Sequence, residues 1–289
     1  MLHGMHVITD ERCLDYSQTR HPERPQRIAA TLALLREQKE IKITWEKPAE
    51  TKESILERAH VLEHIHLVGN PVDPFDGDTP NYPDIDAHAR RSIGGALRAL
   101  ELAQNDKPNF SLLRPPGHHA TRKQAMGFCF FNSIAITVLA ARAAGVKKVA
   151  VFDFDVHHGN GTEDILRRVD GTAFFSIHQH PAYPGTGVKS YDNCYNFTVA
   201  PDSPNFIWRK AASRALAEMK KFGPDLICVS AGFDAYKRDP LCQQQLEMKD
   251  FTWIASELRK LNKPQANILE GGYSNDLPKL IIAYLEGLT

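Results

Sequence analysis

The stretch Val149-Ala150-Val151-Phe152-Asp153-Phe154-Asp155-Val156-His157-His158-Gly159-Asn160-Gly161 sets an apolar, β-branched run directly against acids and histidines. An apolar run without alternation is the pattern of a strand buried on both faces, as in a parallel sheet. When such a run stops abruptly at charged side chains, its carboxyl end opens into a site. Side chains alternate along a strand, so Asp153, Asp155 and His157 project to one side while Phe154 and Val156 project to the other. Two carboxylates and an imidazole suit a divalent ion such as zinc, given a further ligand from elsewhere and one position open for water. The competing reading is a polar strand end whose acids cap the following helix.

A second island, Leu112-Leu113-Arg114-Pro115-Pro116-Gly117-His118-His119-Ala120, places adjacent histidines after a stiff Pro-Pro-Gly turn. They suit metal ligation, or a general base with a charged neighbour. Two further apolar runs end alike. Leu226–Ser230 leads into Ala231-Gly232-Phe233-Asp234, and Asn267–Glu270 into Gly271-Gly272-Tyr273. Glycines there let backbone approach a ligand. Asp234 is a third ligand or a helix cap, and Tyr273 a hydroxyl donor or a packed aromatic.

The ordered set RPPGHHA, GFCFFN, DFDVHHGNGT, GFDA and GGY resembles the zinc-dependent histone deacetylase family, most closely its class II enzymes and their bacterial relatives. The resemblance runs from His21-Pro22-Glu23-Arg24-Pro25-Gln26-Arg27 to Tyr273. It implies an arginase/deacetylase-like α/β fold and removal of acyl groups from the side-chain amine of lysine in peptides or proteins. It implies zinc held by Asp155, His157 and Asp234, with His119 as general base and His118 as a charged neighbour. Asp153 and Asn160 are implied to orient these two histidines, and Tyr273 to donate a hydrogen bond to the developing oxyanion. Gly127 with Phe128, and Tyr183, match the aromatic walls of the substrate tunnel, although phenylalanine is usual where Tyr183 stands. Leu241 stands where polyamine-selective relatives carry a glutamate. No other acid falls in the matched tunnel motifs to pair a distal ammonium, which favours acyl-lysine over acetylpolyamines. Arg27 matches an arginine of an internal acetate-handling cavity, or else is a helix-surface arginine in an ion pair. A structural potassium ion is implied beside Asp153–His157 and Ser176–Ile177. The alternatives are a deacetylase of small N-acylated amines and a non-catalytic acyl-lysine binding module.

Composition is compatible with this. The chain has 289 residues, zero formal net charge and 42% hydrophobic residues, which suits one α/β domain over residues 1–289. Neutral charge removes the main attraction to nucleic-acid backbones. No apolar stretch of membrane-spanning length and no signal pattern is evident, and the five cysteines show no C-x-x-C spacing, so a reduced, cytoplasmic setting is expected. Cys129 and Cys228 read as small core residues.

Strands are expected near 5–8, 110–113, 149–154, 173–177, 196–199, 226–230 and 267–270, and helices over 25–38, 87–103, 132–144, 205–220, 248–262 and 277–285. Their alternation predicts a mostly parallel sheet covered on both faces. The Pro- and Asp-rich segment 70–83 reads as a rim loop. His60, His64 and His66 lack an H-E-x-x-H arrangement and read as structural or surface residues.

Overall fold

The computed structural model describes residues 4–289. Among the described residues eight strands form one sheet: β1 (Gly4–Ile8), β2 (Lys42–Glu46), β3 (Asn109–Ser111), β4 (Val149–Asp153), β5 (Thr172–Gln179), β6 (Cys194–Val199), β7 (Leu226–Ala231) and β8 (Gln265–Leu269). Their order is β2-β1-β3-β8-β7-β4-β5-β6, and every pairing is parallel. The expected architecture holds, and it is wholly rather than mostly parallel. The sequence reading passed over β2 because this edge strand, Lys-Ile-Thr-Trp-Glu, is largely exposed and carries no apolar run.

The helices are α1 (Gln26–Glu37), α2 (Glu53–Leu56), α3 (Leu62–Gly69), α4 (Ile85–Gln104), α5 (Ser133–Ala143), α6 (Asn160–Leu166), α7 (Asn205–Phe222), α8 (Met248–Arg259) and α9 (Leu277–Leu288). Helices α1, α7, α8 and α9 cover one face of the sheet, and α3 to α6 the other. The pleat sorts each strand accordingly. Ala150 and Phe152 of β4 join the first core, Val149 and Val151 the second, and all are fully buried. Fully burying side chains of this kind contributes about 1.5–3 kcal/mol each. Local chemistry sets the boundaries. The Asn132 side chain accepts from Ala135 N to start α5, and Gly223, in the left-handed region at φ 69°, ends α7.

Because all strands run one way, their carboxyl ends share one edge. Register aligns Ser111, Ile268, Ser230, Asp153 and Ser176 across β3, β8, β7, β4 and β5. Loops leaving this row carry every residue singled out above at a strand end.

A buried ion pair fixes the N-terminal segment to that edge. Arg114 is fully buried, donates through Nε to Glu23 Oε1 at 2.7 Å and through Nη1 to the carbonyls of Cys13 and Tyr16, and lies over the Tyr16 ring. Arg27 Nη1 reaches the same Glu23 oxygen at 3.0 Å. Burial opposes the Glu23 charge, but Arg114 and Arg27 outweigh it and draw its pKa down to about 2. A depressed folded pKa gives stability that is complete above the unfolded value near 4.5 and is lost as pH falls toward 2. Arg114→Met is expected to cost about 3–5 kcal/mol in urea unfolding at neutral pH, since it leaves the buried Glu23 carboxylate with Arg27 as its one cation and leaves the Cys13 and Tyr16 carbonyls without their donor. A loss below about 1 kcal/mol would contradict this account.

Candidate active site and metal centre

Four neighbouring strands deliver the site: β3 leads to His118 and His119, β8 to Tyr273, β7 to Asp234, and β4 to Asp155 and His157. The expected alternation along one strand does not extend through the β4 motif, because β4 ends at Asp153. Beyond it the acids turn the backbone themselves. Asp153 Oδ1 accepts from Asp155 N at 3.1 Å, and Asp155 Oδ1 from His157 N at 3.0 Å. The Asp153 carboxylate faces His118 instead of joining Asp155 and His157.

Asp155, His157 and Asp234 are buried, and one ligand atom from each lies within 4.8 Å of the others. His157 Nδ1 stands 3.2 Å from Asp155 Oδ1 and 3.2 Å from Asp234 Oδ2. The far oxygens are anchored, Asp155 Oδ2 by Gly271 N at 2.8 Å and Asp234 Oδ1 by Val156 N at 2.9 Å. A methyl group on Gly271 would overlap both carboxylates, and one on Gly232 would overlap Asp155, so glycine is required at both positions. Two fully buried carboxylates sharing one imidazole leave negative charge uncompensated. That donor set fits a divalent ion such as zinc.

The surroundings of the paired histidines push their pKa values in opposite directions. His118 Nδ1 is 3.1 Å from Asp153 Oδ2, and its Nε2 faces Asp155 Oδ1 at 3.7 Å. Burial opposes its charge, but Asp155 and Asp153 outweigh burial and push its pKa up to about 10. His119, with ring centroid 4.0 Å from that of His118, is held well below the ordinary histidine range by burial and then by the charges of His118 and His157. Its Nδ1 is 2.7 Å from Asn160 Oδ1, a carbonyl oxygen that accepts a hydrogen bond from Nδ1–H and leaves the lone pair on Nε2.

Tyr273 is nearly buried, edge-on to Phe128 at 5.7 Å, and its backbone N donates to Asp239 Oδ2 at 2.7 Å. Tyr183 stands edge-on to His119 at 5.1 Å. Tyr273, Tyr183 and His119, with Gly127, Phe128, His157 and Leu241, line one cavity of about 710 Å³. Phe128 has φ 69° and Gly127 φ 57°, and a methyl on Gly127 would lie 2.6 Å from the His119 ring. The strained Phe128 conformation is held by the rim loop, where Thr79 Oγ1 accepts from Phe128 N at 3.0 Å and Asp76 Oδ2 from Gly127 N at 3.3 Å.

The structure sharpens two readings. The cavity mouth carries two acids, Asp76 and Asp78, which come from the 70–83 loop outside the matched motifs. Arg27 is not a helix-surface residue. It is 4% exposed, donates to the carbonyls of Gly272 and Glu270, and packs on the Tyr273 ring at 4.8 Å. His60 and His64 are structural as expected, His60 Nε2 accepting from Asn132 N and His64 Nε2 bonding the Phe130 carbonyl. Cys129 and Cys228 are buried.

The sequence reading also missed Glu270 and Asp239. Glu270 Oε2 accepts from Gly117 N at 2.7 Å and His118 N at 3.2 Å, and so seats the histidine loop. Burial, with the charges of Asp153 and Asp155, pushes its pKa up to about 7 against the pull of His118. An acid closing an apolar run was its available signal. Asp239, which seats Tyr273 and Ser274 through their backbone N–H groups, carried none.

The histone deacetylase domain model matches residues 21–287. The chain is 40% identical over 227 residues to a probable deacetylase of Methanothermobacter thermautotrophicus, covering 74% of this chain and 68% of that protein. It is 36% identical over 190 residues to acetylpolyamine amidohydrolase 1 of Pseudomonas aeruginosa, covering 62% of this chain and 55% of that protein. The crystal structure of the HDA15 HD domain superposes with a TM-score of 0.91 at 31% identity, over 98% of this chain and 90% of that one. This chain belongs to the histone deacetylase family. Its fold is the arginase/deacetylase fold, and family and relatives place its activity among the deacetylases and amidohydrolases.

The His119–Asn160 contact gives a pH prediction. Asn160→Asp puts a carboxylate against Nδ1, which favours the charged ring, so the His119 pKa rises. An NMR titration of the His119 ring is expected to show its midpoint at higher pH than in the wild type. A midpoint unmoved or lowered contradicts it.

Proposed function

We propose that this chain acts as one catalytic domain that hydrolyses the acyl amide of acyl-lysine in peptides or proteins, with zinc as its metal. The observation that carries the reading is the convergence of His157 Nδ1 with the buried Asp155 and Asp234 oxygens beside a cavity that His119, His157 and Tyr273 line. Asp155, His157 and Asp234 would hold the zinc, which when bound polarises the amide carbonyl and acidifies water.

The chain's own groups supply the proton traffic. His119, neutral and bonded to Asn160 through Nδ1, uses Nε2 to take a proton from the attacking water. Asp155 and Asp153 favour the charged form of His118, and burial together with the charges of His118 and His157 disfavours charge on the resting His119. Tyr273 donates its hydroxyl proton in a hydrogen bond to the carbonyl oxygen as it becomes negative. His119 then returns its proton to the leaving amine as the carbon–nitrogen bond breaks. Phe128 and Tyr183 flank the cavity and suit the methylene stem of lysine.

This complete set argues against a binding module without catalysis. Substrate choice rests on the mouth. Leu241 offers no charge to a distal ammonium, and Asp76 already accepts two backbone protons, from Gly127 and Asp78. Asp78 is the observation that favours the second reading, a small acylated polyamine.

Tyr273→Phe is expected to lower kcat by roughly 10²–10³-fold with zinc content and KM little changed. An unchanged kcat removes Tyr273 from the mechanism. Specificity constants for acetyl-lysine peptides and N-acetylated polyamines test the substrate. The wild type is expected to favour the peptides, and Leu241→Glu to shift the ratio toward polyamines. If the wild type prefers the polyamine, the acyl-lysine reading falls.

A further inference from the structure

The reaction cavity does not end at Leu241. A second groove of about 750 Å³ continues from Leu241 and Tyr273 along the segment 17–26, and shares Gln18 to Pro22 with the cavity. Its walls hold two guanidinium groups, Arg20 and Arg24, and no carboxylate. Both arginines are exposed, and among the described residues neither forms an ion pair with an acid of this chain. Arg24 donates to the neutral Asn275 Oδ1 at 2.8 Å. Across the mouth stand Asp76 and Asp78, and the two sides meet where His21 Nε2 contacts the Asp78 carbonyl at 3.1 Å.

The mouth is therefore bipolar, with carboxylates on one flank and guanidinium groups on the other. An acyl-lysine that enters the cavity leaves its peptide backbone at this mouth. An extended chain advances about 3.3 Å per residue, so residues within three positions of the lysine reach the groove. Guanidinium groups pair with carboxylates in forked geometry and repel ammonium groups. A polycation such as a polyamine meets repulsion on this flank, whereas a peptide with an acid beside its acyl-lysine gains a partner.

We infer that Arg20 and Arg24 select substrate peptides carrying an acidic residue within three positions of the acyl-lysine, on the side that lies in this groove. The inference rests on the acyl-lysine reading above. It adds that the two flanks of the mouth fix the direction in which the peptide lies.

The test uses acetyl-lysine peptides with Glu, Gln or Lys placed singly at each of the three positions on either side, and N-acetylated putrescine as the small-amine control. Turnover by the full-length enzyme and peptide affinity by fluorescence anisotropy are measured together. On one side of the lysine, Glu is expected to exceed Gln by about five-fold in kcat/KM and affinity, the scale of one exposed ion pair, and Lys to fall below Gln. The Glu-to-Gln ratio is expected to collapse toward one in Arg20→Gln/Arg24→Gln, to invert in Arg24→Glu, and to disappear near about 1 M salt, where the Debye length is about 3 Å. Equal constants for Glu, Gln and Lys peptides, or a Glu preference that survives Arg24→Glu in a variant with a wild-type melting curve, overturn the groove while leaving the acyl-lysine reading intact. Turnover of acetylputrescine with none of any peptide overturns the acyl-lysine reading, and the groove with it.

Discussion

Four carboxylates, of Asp153, Asp155, Asp234 and Glu270, are buried without exposure at the carboxyl edge of the sheet. Burying one ionised carboxylate costs several kcal/mol unless charge and hydrogen bonds offset it. Most of the compensating donors come from other strands' loops: Gly271 N for Asp155, Val156 N for Asp234, Gly117 N and His118 N for Glu270, and the His118 ring for Asp153. The contacts that neutralise the acids are thus the contacts that dock the β3, β4, β7 and β8 loops on one another. Site and tertiary structure are one network, and its remaining deficit of positive charge lies where His157 meets Asp155 and Asp234.

What was legible in the sequence followed from this. Acids and histidines that end apolar runs are conspicuous, so the strand-end segments of β3, β4, β7 and β8 announced His118, His119, Asp155, His157, Asp234 and Tyr273. The parallel sheet followed from unbroken apolar runs such as Val149–Phe152. Features without an apolar context did not show. Strand β2 is an exposed edge, and the loop acids Asp76 and Asp78 sit among prolines with no periodic neighbours. Asp239 acts through backbone groups of Tyr273 and Ser274, a contact across 34 and 35 residues of chain that no local pattern records. For Arg27 the sequence left an internal place and a helix-surface place both open. It lies at the start of α1, where Glu23 and the Gly272 and Glu270 carbonyls hold the guanidinium inside.

The groups proposed to move protons and those proposed to meet the rest of the substrate are built differently. His118, His119 and Tyr273 follow strands in the middle of the sheet and are seated by buried acids. Gly127 and Phe128, which shape the cavity wall, are instead held by Asp76 and Thr79 of an irregular loop. Reshaping that loop alters the wall without disturbing any hydrogen bond of the buried acids, which on the proposed reading separates selectivity from chemistry within one pocket.

The strand order also governs when the molecule can become whole. Strand β3 has β1 on one side and β8 on the other, and Ser111 pairs with Ile268 across 157 residues of chain. As the polypeptide leaves the ribosome, β4, β5 and β7 can pair before β8 is made. The histidine loop after β3 has to wait for β8 and Glu270. Contacts of such long range close slowly and leave sheet edges unpaired in the interval. The nascent chain thus passes through a stage in which Asp155, His157 and Asp234 are already made but Tyr273 is not. During that interval the apolar edges of β3 and β7 await their partner strand, and a chaperone has most reason to shield them.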